Sequence, residues 1–233
     1  MNRHAVFTGA SRGIGKAVAK YFAEKNYNLT LIARDMVALA KVKMELVGLN
    51  PEIVIDVHSV DLEDYQGSYS TLLDIAENLE RIDVLFNNAG VAFLGTLDLS
   101  VDDFSKMIDI NVKGVFIVAQ VFGNIMKENK SGYIFNVASM AGKRSLPSIG
   151  GYCASKYAVV GFSSALRQEL SSYNVKVTAL CPGVIKTDMT KDFDISDEKK
   201  MGTSEIINAV EYLLKNGSST VIESLDISTD IVL

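Results

Sequence analysis

The chain has 233 residues, which at roughly 150 residues per domain allows one sizeable core or two small ones. With 48% hydrophobic and 22% charged residues it is neither a disordered nor a low-complexity chain. The net charge is −5, so no basic excess is on hand to release counterions from nucleic acid or to hold an anionic membrane.

Short apolar, β-branched runs alternate with longer amphipathic stretches along nearly the whole chain. In chain order the predicted elements are strand 5–8, helix 14–25, strand 29–33, helix 36–47, strand 53–60, helix 65–79, strand 84–87, helix 101–128, strand 133–138, helix 151–173, strand 176–180, helix 204–215 and strand 221–227. Repeated strand–helix units predict an α/β fold: a doubly wound, Rossmann-type parallel sheet of about seven strands with helices on both faces. In the first helix Ile14, Ala17, Val18, Tyr21 and Phe22 form one apolar stripe facing the sheet. No linker, repeat or composition shift divides the chain, so 1–233 is expected to be a single domain. Segment 188–202 is charged and lacks apolar period, as expected of a substrate lid or loop.

Cys153 and Cys181 are too few for a disulfide framework, and with only His4 and His58 beside them there is no metal-ligand spacing. The residues before Ala5 are too short a lead for a signal peptide, and no apolar run approaches the ~20 residues of a membrane span. The expectation is a soluble, cytoplasmic protein with reduced thiols, binding neither nucleic acid nor membrane.

Strand one runs into Thr8-Gly9-Ala10-Ser11-Arg12-Gly13-Ile14-Gly15, and a helix follows. Glycines at such a turn permit positive φ and close backbone approach, while the helix N-terminus offers free N–H groups and a positive dipole end to a pyrophosphate. Further on come Asn87-Asn88-Ala89-Gly90, Asn111, Ser139, Tyr152-Cys153-Ala154-Ser155-Lys156 and Pro182-Gly183, in that order. With its TGxxxGxG turn, this set resembles the short-chain dehydrogenase/reductase family over about residues 8–215.

The resemblance implies a nicotinamide cofactor held by Gly9, Ser11, Arg12, Gly13, Ile14 and Gly15. By the same resemblance Asp61 and Leu62 flank the adenine, Asn88 and Gly90 lie along the ribose and Ile185 and Thr187 meet the nicotinamide carboxamide; Ala89, Pro182, Gly183, Tyr152 and Lys156 complete the cofactor-binding set, Lys156 reaching the ribose hydroxyls. The family's acidic position after strand two falls on Ala33, followed by Arg34. Arg34 and Arg12 suit the 2′-phosphate of NADP(H). Asp35 is read as the N-cap of the helix opening at Met36. An NAD-linked alcohol or sugar dehydrogenase is the alternative if Asp35 instead holds the ribose.

Tyr152 and Lys156 are four residues apart on a predicted helix, hence on one face, where the ammonium is expected to lower the phenol's pKa from its ordinary value of about 10. Ser139, at a strand's carboxyl end, faces the cleft and offers its hydroxyl to a substrate carbonyl oxygen. By resemblance Asn111 completes the catalytic set, kinking its helix and holding a water that links Lys156 to solvent. Cys153 has no histidine partner and reads as packing.

The implied reaction is hydride transfer between NADP(H) and a carbonyl or secondary alcohol. The segment Pro182-Gly183-Val184-Ile185-Lys186-Thr187-Asp188-Met189 makes 3-oxoacyl-[acyl-carrier-protein] reductases the nearest-looking subgroup, so a 3-oxoacyl thioester, with the carrier protein as a partner, is one candidate substrate. Lys143 and Arg144 are candidate cations for that carrier. A non-catalytic NADP-binding sensor is the rival from a different class. Residues 224–233 lack the family's paired glycines, which leaves homodimer versus homotetramer open; apolar residues around the helix of Asn111 suit a homo-oligomer.

Overall fold

A computed structural model describes residues 2–191, 193, 195–217 and 219–229. The strands are β1 (His4–Thr8), β2 (Asn28–Ala33), β3 (Ile55–Ser59), β4 (Val84–Asn87), β5 (Gly132–Val137), β6 (Val175–Pro182) and β7 (Ser224–Ile227). The helices are α1 (Gly13–Glu24), α2 (Met36–Leu49), α3 (Tyr65–Ala76), α4 (Val101–Ile108), α5 (Val115–Asn129), α6 (Gly150–Leu170) and α7 (Thr203–Lys215). The strands form one parallel sheet in the order β3-β2-β1-β4-β5-β6-β7.

Both faces of this sheet are covered. Phe7, Leu31, Phe86 and Phe135 pack with Val18 and Phe22 of α1, Leu39 of α2 and Val210 of α7. Val6, Ile32, Leu85 and Ile134 point the other way, onto Leu72 of α3 and Val118 and Phe122 of α5. Burial on both faces is why these strands read as unbroken apolar runs rather than alternating ones. The strand order reverses between β1 and β4, which opens a crevice above their carboxyl ends.

Three expectations change. The strands predicted at 53–60 and 221–227 shorten to β3 and β7, the two edges of the sheet, where each has a ladder partner on one side only. The helix expected at 101–128 is broken by a π turn, Asp109–Gly114, between α4 and α5. Taken together, Val101–Asn129 is long and apolar enough by composition to cross a membrane. Its polar residues interrupt every consecutive apolar run, and α5 carries Val118, Phe122 and Met126 into the core. The segment expected to be irregular holds two short 3-10 turns, Asp188–Thr190 and Asp197–Lys199, while residues 192 and 194 lie outside the described residues. In the tail, β7 is formed and residues 230–233 lie outside the described residues.

Candidate active site

The turn after β1 requires glycine at two positions, Gly9 at φ +64° and Gly13 at φ +55°. A Cβ on Gly15 would run into the carbonyl oxygen of Gly9. Thr8 ties this turn to β4: its Oγ1 accepts from the N–H groups of Asn88 (2.9 Å) and Ala89 (3.0 Å) and donates to Asn87 Oδ1 (3.2 Å). Asn88 Nδ2 returns the favour to the carbonyls of Thr8 and Gly9 at 3.1 and 3.3 Å. The amide of Asn88 therefore closes the turn, and its flank lines the crevice.

The crevice over the turn, about 470 Å³, is lined by Gly9, Ser11, Arg12, Gly13, Ile14, Arg34, Asp35, Asp61, Leu62, Asn88, Ala89, Gly90 and Thr187. Asp35 caps α2, its Oδ1 accepting from Ala38 N at 2.9 Å, as its sequence position suggested. Asp61 caps a turn, accepting from Glu63 N at 3.2 Å. Asp64 and Ser100 cap α3 and α4 in the same way, whereas α1 has no capping side chain and no acidic residue in its first turn. Uncapped N–H groups beside a positive-φ glycine turn and two arginines fit a phosphate-bearing dinucleotide.

A second chamber of about 270 Å³ shares Ile14, Asn88, Gly90, Val91, Thr187 and Met189 with the first. Leu94, Met140, Leu146, Ile149, Val184 and Phe193 make it apolar, and Ser139, Tyr152 and Lys156 line it. Pro182 and Gly183, at the end of β6, line it too; Ser139 Oγ donates to Pro182 O at 3.4 Å and accepts from Ala141 N at 3.1 Å. Lys156 is one turn beyond Tyr152 on α6, its Nζ 5.7 Å from the Tyr152 ring centre and donating to Val137 O at 2.9 Å.

The expected lowering of the Tyr152 pKa is not what this site does. Burial pushes the Tyr152 phenol up to about 12, opposed in part by the Ser139 side chain, and burial pulls Lys156 down to about 8. Desolvation is the largest cause for both groups, and the Lys156 ammonium donates to the Val137 carbonyl. The phenol is thus held protonated, the form a proton donor needs.

Asn111 sits in the π turn, fully buried. Its amide pairs with both backbone groups of Val91, accepting from N and donating to O at 2.8 Å each, and donates to Ser155 Oγ at 3.0 Å; Ser155 Oγ donates to Tyr152 O at 2.8 Å. Asn111 therefore fastens the Gly90–Val91 segment beyond β4 to the helix of Tyr152, from within the π turn. A Cβ on Gly90 would lie 3.2 Å from Asn111 Oδ1 and 3.6 Å from Lys156 Nζ, so the three are neighbours. Ser155 is fully buried, and its i,i+3 spacing after Tyr152 is the only sign of this link that the sequence carries.

Two cations separate. Lys143 is drawn to β7, donating to Ser224 Oγ at 2.8 Å and lying 3.6 Å from Asp226. Arg144 lines the apolar chamber. Cys153 and Cys181 are both buried and free.

A dinucleotide-type crevice joined to a chamber holding a serine, a tyrosine and a lysine defines an α/β oxidoreductase. A family model described as short chain dehydrogenase matches residues 3–198, and the chain belongs to that family. It is 35% identical to a 3-oxoacyl-[acyl-carrier-protein] reductase of Synechocystis sp., over 82% of this chain and 77% of that protein. It is 34% identical to a 3alpha-hydroxysteroid dehydrogenase of Mediterraneibacter gnavus, over 81% of this chain and 76% of that one. Among solved structures, an alcohol dehydrogenase of the archaeon Thermococcus sibiricus complexed with 5-hydroxy-NADP superposes with a TM-score of 0.87 at 29% identity, covering 97% of this chain and 96% of that one.

Proposed function

We propose that the protein is an NADPH-dependent reductase of carbonyl compounds, with Ser139, Tyr152, Lys156 and Asn111 as its catalytic set. The observation that carries this reading is the shared wall: the apolar chamber with Ser139 and Tyr152 opens onto the crevice flanked by Arg12 and Arg34. NADPH, when bound, supplies the hydride. Ser139 Oγ and Tyr152 Oη hold the carbonyl oxygen from two sides, and the Tyr152 proton passes to that oxygen as its negative charge develops. Lys156 steadies the phenolate left behind, and Asn111 fixes the helix turn that carries Tyr152. Gly9 to Gly15 take the pyrophosphate on the uncapped start of α1, Asp61 and Leu62 border the adenine, and Gly183, Ile185 and Thr187 border the nicotinamide. Arg34 favours the 2′-phosphate, and the N-cap bond of Asp35 counts against the NAD-linked alternative.

The test is to follow loss of NADPH absorbance with a panel of ketones, hydroxysteroid ketones and free 3-oxoacyl thioesters, and to repeat it with NADH. Turnover with NADPH in preference to NADH supports the reading. Tight binding with no turnover on any substrate would overturn it in favour of a non-catalytic sensor. A carrier-bound substrate is the finer possibility, with Arg144 as the cation left for the carrier; Arg144→Glu should slow a carrier-bound 3-oxoacyl group more than its free thioester. Exposed Phe104, Phe116 and Tyr157, on the helices that carry Asn111 and Tyr152, suit a homodimer, which sedimentation of Phe116→Glu against the parent would check.

A further inference from the structure

The charged segment between β6 and α7 hides a buried cation. The side chain of Lys200 is 2% exposed, and its Nζ donates to the backbone carbonyl of Thr190 at 2.8 Å and to Asp197 Oδ1 at 3.2 Å. An ammonium is taken out of water only where oxygens replace its hydration, so this contact must organise the segment around it. Asp197 is shared, its other oxygen lying 2.8 Å from Lys186 Nζ. The ends of the segment are stitched as well: Met201 N donates to Val184 O at 2.9 Å and Lys186 N to Met201 O at 2.8 Å, a short parallel bridge beyond β6.

The part that Lys200 holds is the partition between the two chambers. Thr187 and Met189 line both. Thr190 Oγ1 donates to Ile185 O and accepts from Thr187 N (3.3 Å), so fixing the Thr190 carbonyl fixes the turn that carries Thr187. Thr187 faces the glycine turn across a narrow gap, where a Cβ on Gly13 would meet its Cγ2 at 3.4 Å. Hydrogen bonds therefore run from Lys200 through Thr190 to Thr187, opposite the glycine turn.

We propose that Lys200 is a positioning residue, which through the Thr190 carbonyl holds the Thr187–Thr190 turn in place as the wall against which the nicotinamide end of the cofactor packs. The proposal rests on the reductase reading, and its test is read first on the protein without cofactor. Lys200→Met keeps the bulk and removes the donor; Lys200→Arg keeps a donor; Asp197→Asn removes the ion pairs but leaves the bond to Thr190.

Lys200→Met should speed hydrogen exchange at the amides of 186–191 while leaving those of β6 and the melting temperature close to the parent. It should weaken NADPH binding, followed by cofactor fluorescence, by about tenfold. In turnover the same loss should fall on KM for NADPH more than on kcat. Lys200→Arg should recover most of it, and Asp197→Asn should show a smaller loss. Unchanged exchange and NADPH affinity in Lys200→Met would overturn the proposal. So would a general rise in exchange with a lower melting temperature, which would make Lys200 a fold residue only. If the parent binds NADPH but reduces nothing, the reductase reading fails while the exchange and affinity results still judge Lys200.

Discussion

The two chambers that meet along Ile14, Asn88, Gly90 and Thr187 are built in different ways. The crevice over the glycine turn is set by that turn and by the ends of β1, β2, β3 and β4, with charge at its rim from Arg12, Arg34, Asp35 and Asp61. The catalytic chamber is made of side chains brought from the end of β5, from α6 and from the segment beyond β6, and apolar walls surround a few polar groups. Backbone geometry and an uncapped helix recognise what dinucleotides have in common. Side-chain walls from distant segments are free to differ, and relatives as unlike in name as a carrier-protein reductase and a hydroxysteroid dehydrogenase are each about a third identical to this chain over some three quarters of their length.

If that division holds, changes in one chamber should leave the other's function standing. The largest effect is expected from Tyr152→Phe, which removes the proton donor: kcat should fall about a thousandfold, with NADPH affinity unchanged by fluorescence titration. A parallel loss of affinity would show that the chambers are not separable.

Lys156→Met should nearly abolish turnover and yet leave the melting temperature close to the parent's. Burial lowers Lys156 from 10.5 to about 8, a penalty of roughly 3 kcal/mol on its charge at neutral pH, which offsets the roughly 2–3 kcal/mol of the lost charged bond to Val137. Because the folded pKa lies below the unfolded one, the unfolded chain binds more protons between about pH 8 and 10.5. Stability of the parent, read by urea titration, should therefore rise with pH across that window, and this rise should be missing from Lys156→Met. The kcat/KM for reduction should fall as pH passes about 8 and the ammonium is lost, while Tyr152, at about 12, stays protonated.

A smaller change is expected from Arg34→Asp, which should cut NADPH affinity by about tenfold to a hundredfold and improve NADH, with kcat on either cofactor little altered. The smallest concerns Cys181, whose thiol burial pushes up to about 11. At neutral pH it should resist alkylation in the folded protein, as counted by mass spectrometry, and react only after denaturation.

The glycine turn and the Tyr152–Lys156 pair were legible because each depends on local spacing: a turn needs glycine within a few residues, and one helical face repeats every three to four. Asp35 as a cap was legible for the same reason. The order of the strands in the sheet was not, since chain order does not say which strands are neighbours. The amide clasp of Asn111 on Val91, the contact of Lys143 with Asp226 and the Lys200–Thr190 bond were not, since each joins residues whose partners the chain order does not name. The direction of the Tyr152 pKa was not legible either, because spacing gives the nearness of a cation but not the water removed around the phenol.

Alternating apolar runs and periodic helices determined the parallel sheet by themselves, because hydrophobic burial follows sequence period. They also determined which residue types stand at the carboxyl ends of its strands. Only the tertiary structure decided where charge sits among them. It turned Lys156 toward Val137 and Lys143 toward β7, and it buried Lys200 under the wall between the chambers. The energy of a charge depends on every oxygen and every water near it, and those neighbours come from segments that only folding brings together.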